Sequence, residues 1–314
     1  MALSLSSGSL ASRGAPAAAL SPQTSRLRRH LVQLLAHLLV ALVALVAIGG
    51  ATRVMEAGLA CPDWPLCYGS LLPAGRMTVQ VFLEWFHRLD AFLVGIGLLV
   101  LALISLLKRA SLPFWLPPLC CTAVLLVALQ GALGALTVTQ LLRFDIVTAH
   151  LGTALLLVAL VSVMTRGLSI DAPRSDTATP WLGLAAAAVY LQCIGGGLMA
   201  SQWATGRCLS LQQACLWLDL HRFGAVTSAL LVLLVSALLL RSEATRPSGR
   251  VPLLLASLLL VGVQLGLGLL SLRLALAQPL VTVAHQLVAA LLVAVLSAAL
   301  PRPTGQQILL DASR

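Results

Sequence analysis

The chain has 314 residues, of which 59% are hydrophobic and 10% are charged. A soluble domain is typically about 45–50% apolar and about 25% charged, so this composition excludes a soluble globular protein and indicates an integral membrane protein. The net charge of +10 does not indicate a nucleic-acid-binding surface, because the basic residues fall mainly in short gaps between apolar runs, a pattern that reports membrane topology.

Apolar runs of about 20 residues are long enough to cross a bilayer as helices. They recur along the whole chain and predict an all-α, polytopic membrane protein with eight transmembrane helices. The predicted spans are 31–51, 83–107, 114–138, 147–166, 181–201, 220–240, 252–272 and 281–300.

An even number of spans places both termini on one side of the membrane. Of the 20 basic residues, 13 would lie on that side and 7 on the other, so the positive-inside rule predicts cytoplasmic termini in a cell membrane. Residues 1–30 are predicted to be a disordered cytoplasmic tail, and residues 302–314 a second tail. Because residues 1–25 contain no acidic residue, an organellar transit peptide is the alternative interpretation.

The histidines reveal an internal repeat. His87 and His150 are 63 residues apart, and His221 and His285 are 64 apart. Their neighbours also match, as "VTAHLGTALL" beside "VTVAHQLVAALL" shows. We therefore predict two tandem four-helix bundles with parallel topology, an N-terminal half over residues 31–170 and a C-terminal half over residues 171–301. In this scheme all four histidines lie at one depth, near the outer face.

Four histidines at one depth point to a bound cofactor, because ionisable residues inside a membrane are costly and usually functional. Two histidines on two helices of a bundle suit a flat, metal-centred ring with axial imidazole ligands. Zinc usually takes four tetrahedral ligands, whereas each half supplies two histidines. The pattern therefore predicts one haem in each half. Arg88 and Arg222, which follow two of these histidines, are either partners of haem propionates or interfacial anchors.

The two halves differ at one position. Glu84 lies three residues before His87, on nearly the same helix face, whereas Leu218 lies three residues before His221. A pair of sites that only carried electrons would not need this difference. The asymmetry predicts a site for chemistry in the N-terminal half and a site for electron relay in the C-terminal half.

Several segments together resemble the heme A synthase family over about residues 31–300. They are "GGATRVMEAGLACPDWPLCYG" (49–69), "EWFHR" (84–88), "TAHLGTALL" (148–156), "LHRFGA" (220–225) and "AHQLVAALL" (284–292). The resemblance implies an eight-helix oxidoreductase that oxidises a methyl group of heme O to the formyl group of heme A, with water as the oxygen source. The product serves terminal oxidase assembly.

The resemblance also implies roles for single residues. His87 and His150 would flank the substrate haem, with Arg88 beside them, and Glu84 would be catalytic, stabilising positive charge on the methyl carbon or positioning the attacking water. A permanent haem b would be the cofactor of the C-terminal half. Its iron ligands would be His221 and His285, and Arg222 would remain a candidate for the propionates.

The cysteines divide between outer loops and helices. Cys61 and Cys67 lie in the first outer loop, and Cys208 and Cys215 lie in the third. The outside of a bacterial membrane permits disulfides, so two local bridges are expected, Cys61–Cys67 and Cys208–Cys215.

Two other functions share part of this pattern. A di-haem b-type electron carrier explains the four histidines but not Glu84, and a transporter would place polar groups near the bilayer midplane rather than at its outer edge. For the enzyme, the expected partners are heme O, the lipid bilayer and an electron acceptor that the sequence does not identify. The heme O synthase is a further candidate partner, and no nucleic acid is expected.

Overall fold

The computed structural model describes residues 22–170, 176–200, 216–242 and 249–302, and these residues form eight long α-helices and no β-strand. All eight helices are long and apolar enough to cross a membrane, which confirms the predicted all-α protein with eight spans. The helices are α1 (Pro22–Val54), α2 (Val79–Leu107), α3 (Leu116–Thr139), α4 (Phe144–Ser169), α5 (Thr179–Met199), α6 (Leu216–Arg241), α7 (Val251–Arg273) and α8 (Pro279–Ala298).

Helix α1 begins earlier than its apolar run predicts. Residues 22–30 are helical, so the prediction of a disordered tail is wrong for them, while residues 1–21 and 303–314 lie outside the described part of the chain. The early turns of α1 include Arg28, whose guanidinium donates hydrogen bonds to the carbonyl oxygen of Leu168 from Nε at 2.6 Å and from Nη2. A cation at the C-terminal end of a helix is stabilising, and this tertiary contact is not visible to a hydropathy pattern.

The helices pack as two rings of neighbours that share a broad boundary. In the first ring, α2 and α4 each contact both α1 and α3, and in the second, α6 and α8 each contact both α5 and α7. Across the boundary, α8 packs against α1 and α4, and α4 packs against α5. The division into two halves stays a prediction, and the extent of this boundary indicates that the halves would not be independent domains.

Two helix hairpins repeat the same turn. Between α3 and α4, Leu141 and Leu142 have φ values of 50° and 59°, and between α7 and α8, Ala275 and Leu276 have values of 47° and 61°. In both turns the N–H of the second residue donates to the carbonyl oxygen five residues earlier, at 2.8 Å and 2.9 Å, as in a Schellman motif. Left-handed conformations are unusual for residues other than glycine, so their recurrence at equivalent positions supports the internal repeat.

The tightly packed core lies away from the histidines, toward the end of the bundle that carries the chain ends, here called the terminal end. Buried side chains fill the second half of α2, the first half of α3 and the second half of α4. The same division holds for α5 to α8. Representative members are Leu35, Leu98, Leu101, Leu155, Met164, Leu254 and Leu296. In a bilayer this packing stabilises the bundle mainly through van der Waals contact.

Arg250 ties together the polar groups of the terminal end. Its side chain is 3% exposed and forms an ion pair with Asp176 at 2.6 Å. It also donates hydrogen bonds to the carbonyl oxygens of Ala299 at 2.8 Å and Leu300 at 2.8 Å, which satisfies groups at the end of α8 that lack helical partners. Burial alone would raise the pKa of Asp176, but Arg250 and Thr179 outweigh it and lower that pKa.

We predict that Arg250→Gln lowers the stability of the folded bundle by about 3 kcal/mol, because it leaves Asp176 without its cation and removes hydrogen bonds to the end of α8. Thermal unfolding of the purified chain in detergent measures the loss. Because the folded-state pKa of Asp176 is lowered, the stabilisation is present above its ordinary pKa and disappears as pH falls through the lowered value. Arg241→Gln, at an exposed position at the end of α6, is the matched control. Equal unfolding temperatures for the two variants would contradict this role.

Candidate functional site

Each ring of helices presents a pair of histidines on diagonally placed helices. His87 lies on α2 and His150 on α4, and their ring centroids are 6.5 Å apart with an interplanar angle of 71°. His221 lies on α6 and His285 on α8, which are diagonally placed in the second ring. All four are near the first turns of their helices, at the end of the bundle opposite the terminal end. We call this the histidine end.

A glycine on the preceding helix makes room for each histidine ring. A Cβ atom added at Gly49, Gly196 or Gly268 would lie 3.0–3.1 Å from the histidine Cε1 atom, so the ring would have to shift, whereas one added at Gly134 would lie at 3.6 Å, an ordinary van der Waals contact. We call these four residues the seat glycines. The pairs are Gly49 with His87, Gly134 with His150, Gly196 with His221, and Gly268 with His285. The glycine clusters of the sequence therefore serve these rings at specific positions, beyond general helix packing.

The ring nitrogen atoms are better explained as ligands of a metal-centred group than as hydrogen-bond partners within the protein. The Nδ1 atoms of His87, His150 and His285 are buried and have no hydrogen-bond partner, a costly state for a polar atom. Within the described ranges, no group of three or more His, Cys, Asp or Glu side chains could hold a metal ion. Imidazoles bind metals at about 2.0–2.1 Å, so two rings on opposite sides of one metal would have centres roughly 6 Å apart. The separation of His87 and His150 is close to this value.

One histidine of the C-terminal pair, His221, lines an open space. This cavity of 350 Å³ is bounded by α5 and α6, and its lining also includes Gln192, Gly195, Trp217 and Gly224. This is the size of a small ligand site and is mainly apolar. Sequence reasoning missed the glutamine in this lining, although it occurs in the motif "YLQCIGGG".

The loop between α1 and α2, residues 55–78, which the sequence predicts to be the first outer loop, packs against the start of α2 and is internally braced. The predicted disulfide Cys61–Cys67 is present, whereas Cys208 and Cys215 lie outside the described residues. The Asp63 carboxylate accepts hydrogen bonds from the backbone N–H groups of Tyr68 at 2.6 Å and Gly69 at 2.7 Å. These bonds, first that from Gly69, lower the pKa of Asp63, so the brace persists at acidic pH values where a free carboxyl group would be protonated.

Glu84 and Arg88 clamp this loop to α2. Glu84 is 5% exposed. Its Oε1 accepts from Arg88 at 2.5 Å and its Oε2 accepts from the N–H of Ala60 at 3.0 Å. Arg88 donates further hydrogen bonds to the carbonyl oxygens of Asp63 at 2.6 Å, Leu66 at 2.6 Å and Cys61 at 3.1 Å. Sequence reasoning missed this structural role for Glu84.

The two arginines that follow histidines are therefore in different environments. Arg88 directs four of its N–H groups to Glu84 and the loop, and its side chain is 15% exposed. Arg222 has a side chain that is 56% exposed and lies 4.0 Å from the exposed Asp219. Of the two predicted propionate partners, Arg222 is available for an anion and Arg88 is already occupied. The prediction that Arg88 contacts the substrate haem directly thus gains no support from its position.

Comparison with known proteins places the chain in a family. Residues 32–297 match the family model described as "Cytochrome oxidase assembly protein". The chain belongs to this family. A heme A synthase from Shewanella oneidensis is 36% identical over 206 residues, which cover 58% of this chain and 60% of that protein. The heme A synthase from Caulobacter vibrioides is 30% identical over 193 residues, covering 50% and 56%.

The match thus spans about three fifths of the length of these two relatives. A heme A synthase from Bacillus pumilus is 31% identical over a match that covers 43% of that protein. The family membership confirms the resemblance on which the sequence interpretation rests. It does not by itself assign roles to the histidines, Glu84 or Arg88, which remain predictions.

We predict that Arg88→Gln releases the first outer loop, because three backbone carbonyl groups and the carboxylate of Glu84 lose their shared cation. The Cys61–Cys67 disulfide should then be reduced and labelled by a maleimide about 10-fold faster under mild reductant, since a net gain of about 1.4 kcal/mol in loop opening corresponds to that factor. Mass spectrometry of the labelled loop peptide measures the rate. Arg222→Gln removes an exposed cation at the equivalent position and should leave the rate unchanged. Identical rates in both variants would rule out the clamp.

Proposed function

We propose that this chain is a heme A synthase, which oxidises a methyl group of heme O to the formyl group of heme A for terminal oxidase assembly. The observation that carries the proposal is that two pairs of histidines lie on diagonal helices, with each ring facing a seat glycine. They occur in a chain of the cytochrome oxidase assembly family. The heme A synthases among its relatives support the same activity.

The two histidine pairs are assigned different haems. We assign His87 and His150 to the substrate, heme O, and His221 and His285 to a resident haem b as its axial ligands. The buried and unpartnered Nδ1 atoms of His87, His150 and His285 favour both assignments. When bound, haem b supplies one-electron redox chemistry. Exposed Arg222 is the candidate that pairs with its propionates.

The proposed reaction balances only with an outside electron acceptor. Conversion of a methyl group and one water molecule to a formyl group releases four electrons and four protons. It proceeds through a hydroxymethyl group and a hydrated aldehyde, which loses water. Glu84 is the candidate catalytic carboxylate, because it lies one helical turn from His87 and its counterpart is Leu218. In this role it would position the attacking water or stabilise positive charge on the methyl carbon.

The proposed location is the cell membrane, with both termini in the cytoplasm. The described terminal end gathers Arg28, Arg166, Arg250 and Arg302, in agreement with the positive-inside rule. The histidine end and the loop with the Cys61–Cys67 disulfide would then face the oxidising outer side.

The activity is tested by expressing the full chain in a host that makes heme O and lacks its own heme A synthase. Haems extracted from the membranes and from the purified protein are then identified by mass spectrometry. We expect heme A in the membranes and haem b in the protein, with heme O or heme A bound beside it. A chain that carries haem b alone and produces no heme A would be a di-haem electron carrier, and a colourless chain would contradict haem binding altogether.

We predict that Glu84→Gln retains haem b and accumulates heme O or the hydroxymethyl product, because it removes the charge while keeping the size of the side chain. The loss of one electrostatic catalytic group typically lowers the rate about 10²–10³-fold, so heme A should be scarce in the extracted pigments. The converse change, Leu218→Glu, should not create a second active site.

The loop clamp requires a control for this experiment, because Glu84 also holds Ala60 and Arg88. The maleimide labelling of the Cys61–Cys67 disulfide is therefore measured in the same Glu84→Gln preparation. Wild-type production of heme A by this variant would show that the carboxylate serves only the loop. A loss of heme A with an unchanged labelling rate would assign it to the chemistry.

A further inference from the structure

Three of the four helices that carry seat glycines also carry a glutamine one helical turn earlier. The spacing of four residues places each glutamine on the same helix face as its glycine, beside the same histidine. In α1, the residue four before Gly49 is Leu45, so this seat has no glutamine. We call these three glutamines the seat glutamines. The pairs are Gln130 with Gly134, Gln192 with Gly196, and Gln264 with Gly268.

Each seat glutamine contacts the histidine of the next helix. Gln130 Nε2 donates to the backbone carbonyl oxygen of His150 at 2.9 Å. Gln192 Nε2 donates to the backbone carbonyl oxygen of His221 at 2.8 Å and lies 2.8 Å from its ring Nδ1. Gln264 Nε2 lies 3.3 Å from Nε2 of His285.

Helix tethering alone does not account for these contacts. The Oε1 atoms of Gln130 and Gln264 are buried without a hydrogen-bond partner, and so are the Nδ1 atoms of His150 and His285. A side chain that served only to tether a backbone carbonyl group would not need to bring a second polar atom into this apolar region, where an unsatisfied group is costly. Each of these two glutamine–histidine pairs therefore has an unused amide acceptor and an unused ring nitrogen.

An axial histidine needs such an acceptor. A metal-bound imidazole uses one ring nitrogen for the metal and donates the N–H of the other to an oxygen atom, which fixes the ring orientation and makes the ligand more basic. A glutamine amide offers an oxygen on one side and an NH₂ group on the other. Rotation of the Gln192 amide by half a turn would place its oxygen against Nδ1 of His221, in exchange for the present bond from Nε2 to the backbone carbonyl oxygen of His221.

We propose that the seat glutamines are positioning residues that orient and tune the axial histidines, and that His87 lacks one so that the substrate haem can exchange there. This inference rests on the proposed function. It explains why the unassisted histidine is in the half assigned to the substrate, which must bind and leave, while both ligands of the permanent haem have a seat glutamine. In this scheme His150 keeps the substrate haem in position, and His87 is the histidine that lets the haem go.

The first test uses Gln192→Leu and Gln192→Glu in the full chain, purified with its haem. Loss of the acceptor makes His221 a weaker donor, so Gln192→Leu should raise the reduction potential of haem b and weaken its retention about 10- to 100-fold. A carboxylate is a stronger acceptor, so Gln192→Glu should retain the haem and lower the potential. Spectroelectrochemical titration gives the potential, and transfer to apomyoglobin gives the rate of haem loss.

Gln286→Leu is the matched control. Gln286 donates across helices to the carbonyl oxygen of Val46 at 3.2 Å, a tether like that of Gln192 but without a described ring contact, so its removal should leave the potential unchanged. Gln264→Leu repeats the test on the other ligand of the same haem if the Gln192 variants do not insert. Shifts in the same direction for Leu and Glu, or no shift in either, would overturn the proposal. Wild-type protein without haem b would instead overturn the proposed function.

The second test adds the missing group. Leu45→Gln should give His87 an acceptor and slow the release of product, so that purified protein retains heme A and its transfer to an external haem acceptor slows about 10-fold. Ala44→Gln, at the exposed neighbouring position on α1, is the control and should release product at the wild-type rate. Equal release from both variants would show that the absence of a glutamine at position 45 has no bearing on exchange.

Discussion

The contact between a histidine ring and a glycine on the preceding helix is the constraint on which the rest of the structure depends. It occurs four times, once for each even-numbered helix. It fixes the depth of every ring, because a glycine and its histidine must lie at the same level for the contact to form. A side chain at Gly49, Gly196 or Gly268 would displace the histidine ring that it faces.

This arrangement divides the bundle along its length. The buried apolar side chains are concentrated at the terminal end, so most of the packing stability comes from there. There, large apolar side chains such as Leu98, Leu101 and Met164 are fully buried, and Arg250 closes the end of α8. The separation allows one end to hold a wide ring while the other keeps the helices together.

The sequence predicts the spans and the histidine level because both follow from local patterns, namely apolar length and matched neighbours of His87, His150, His221 and His285. It predicts the Cys61–Cys67 bridge for the same reason. The specific use of the seat glycines was not predictable, since small residues also serve ordinary helix packing. The clamp of Glu84 and Arg88 was not predictable either, because it depends on how residues 55–78 fold back onto α2.

The clamp changes what can be expected of Glu84. Both carboxylate oxygens already accept hydrogen bonds, one from Arg88 and one from Ala60, and the charge is balanced by the guanidinium. Each oxygen can accept a second bond, so a water molecule can still be held beside the ion pair. The first outer loop and the chemistry proposed for Glu84 therefore share one guanidinium, whereas the described residues at the matching positions of the C-terminal half are Leu218 and the exposed Arg222.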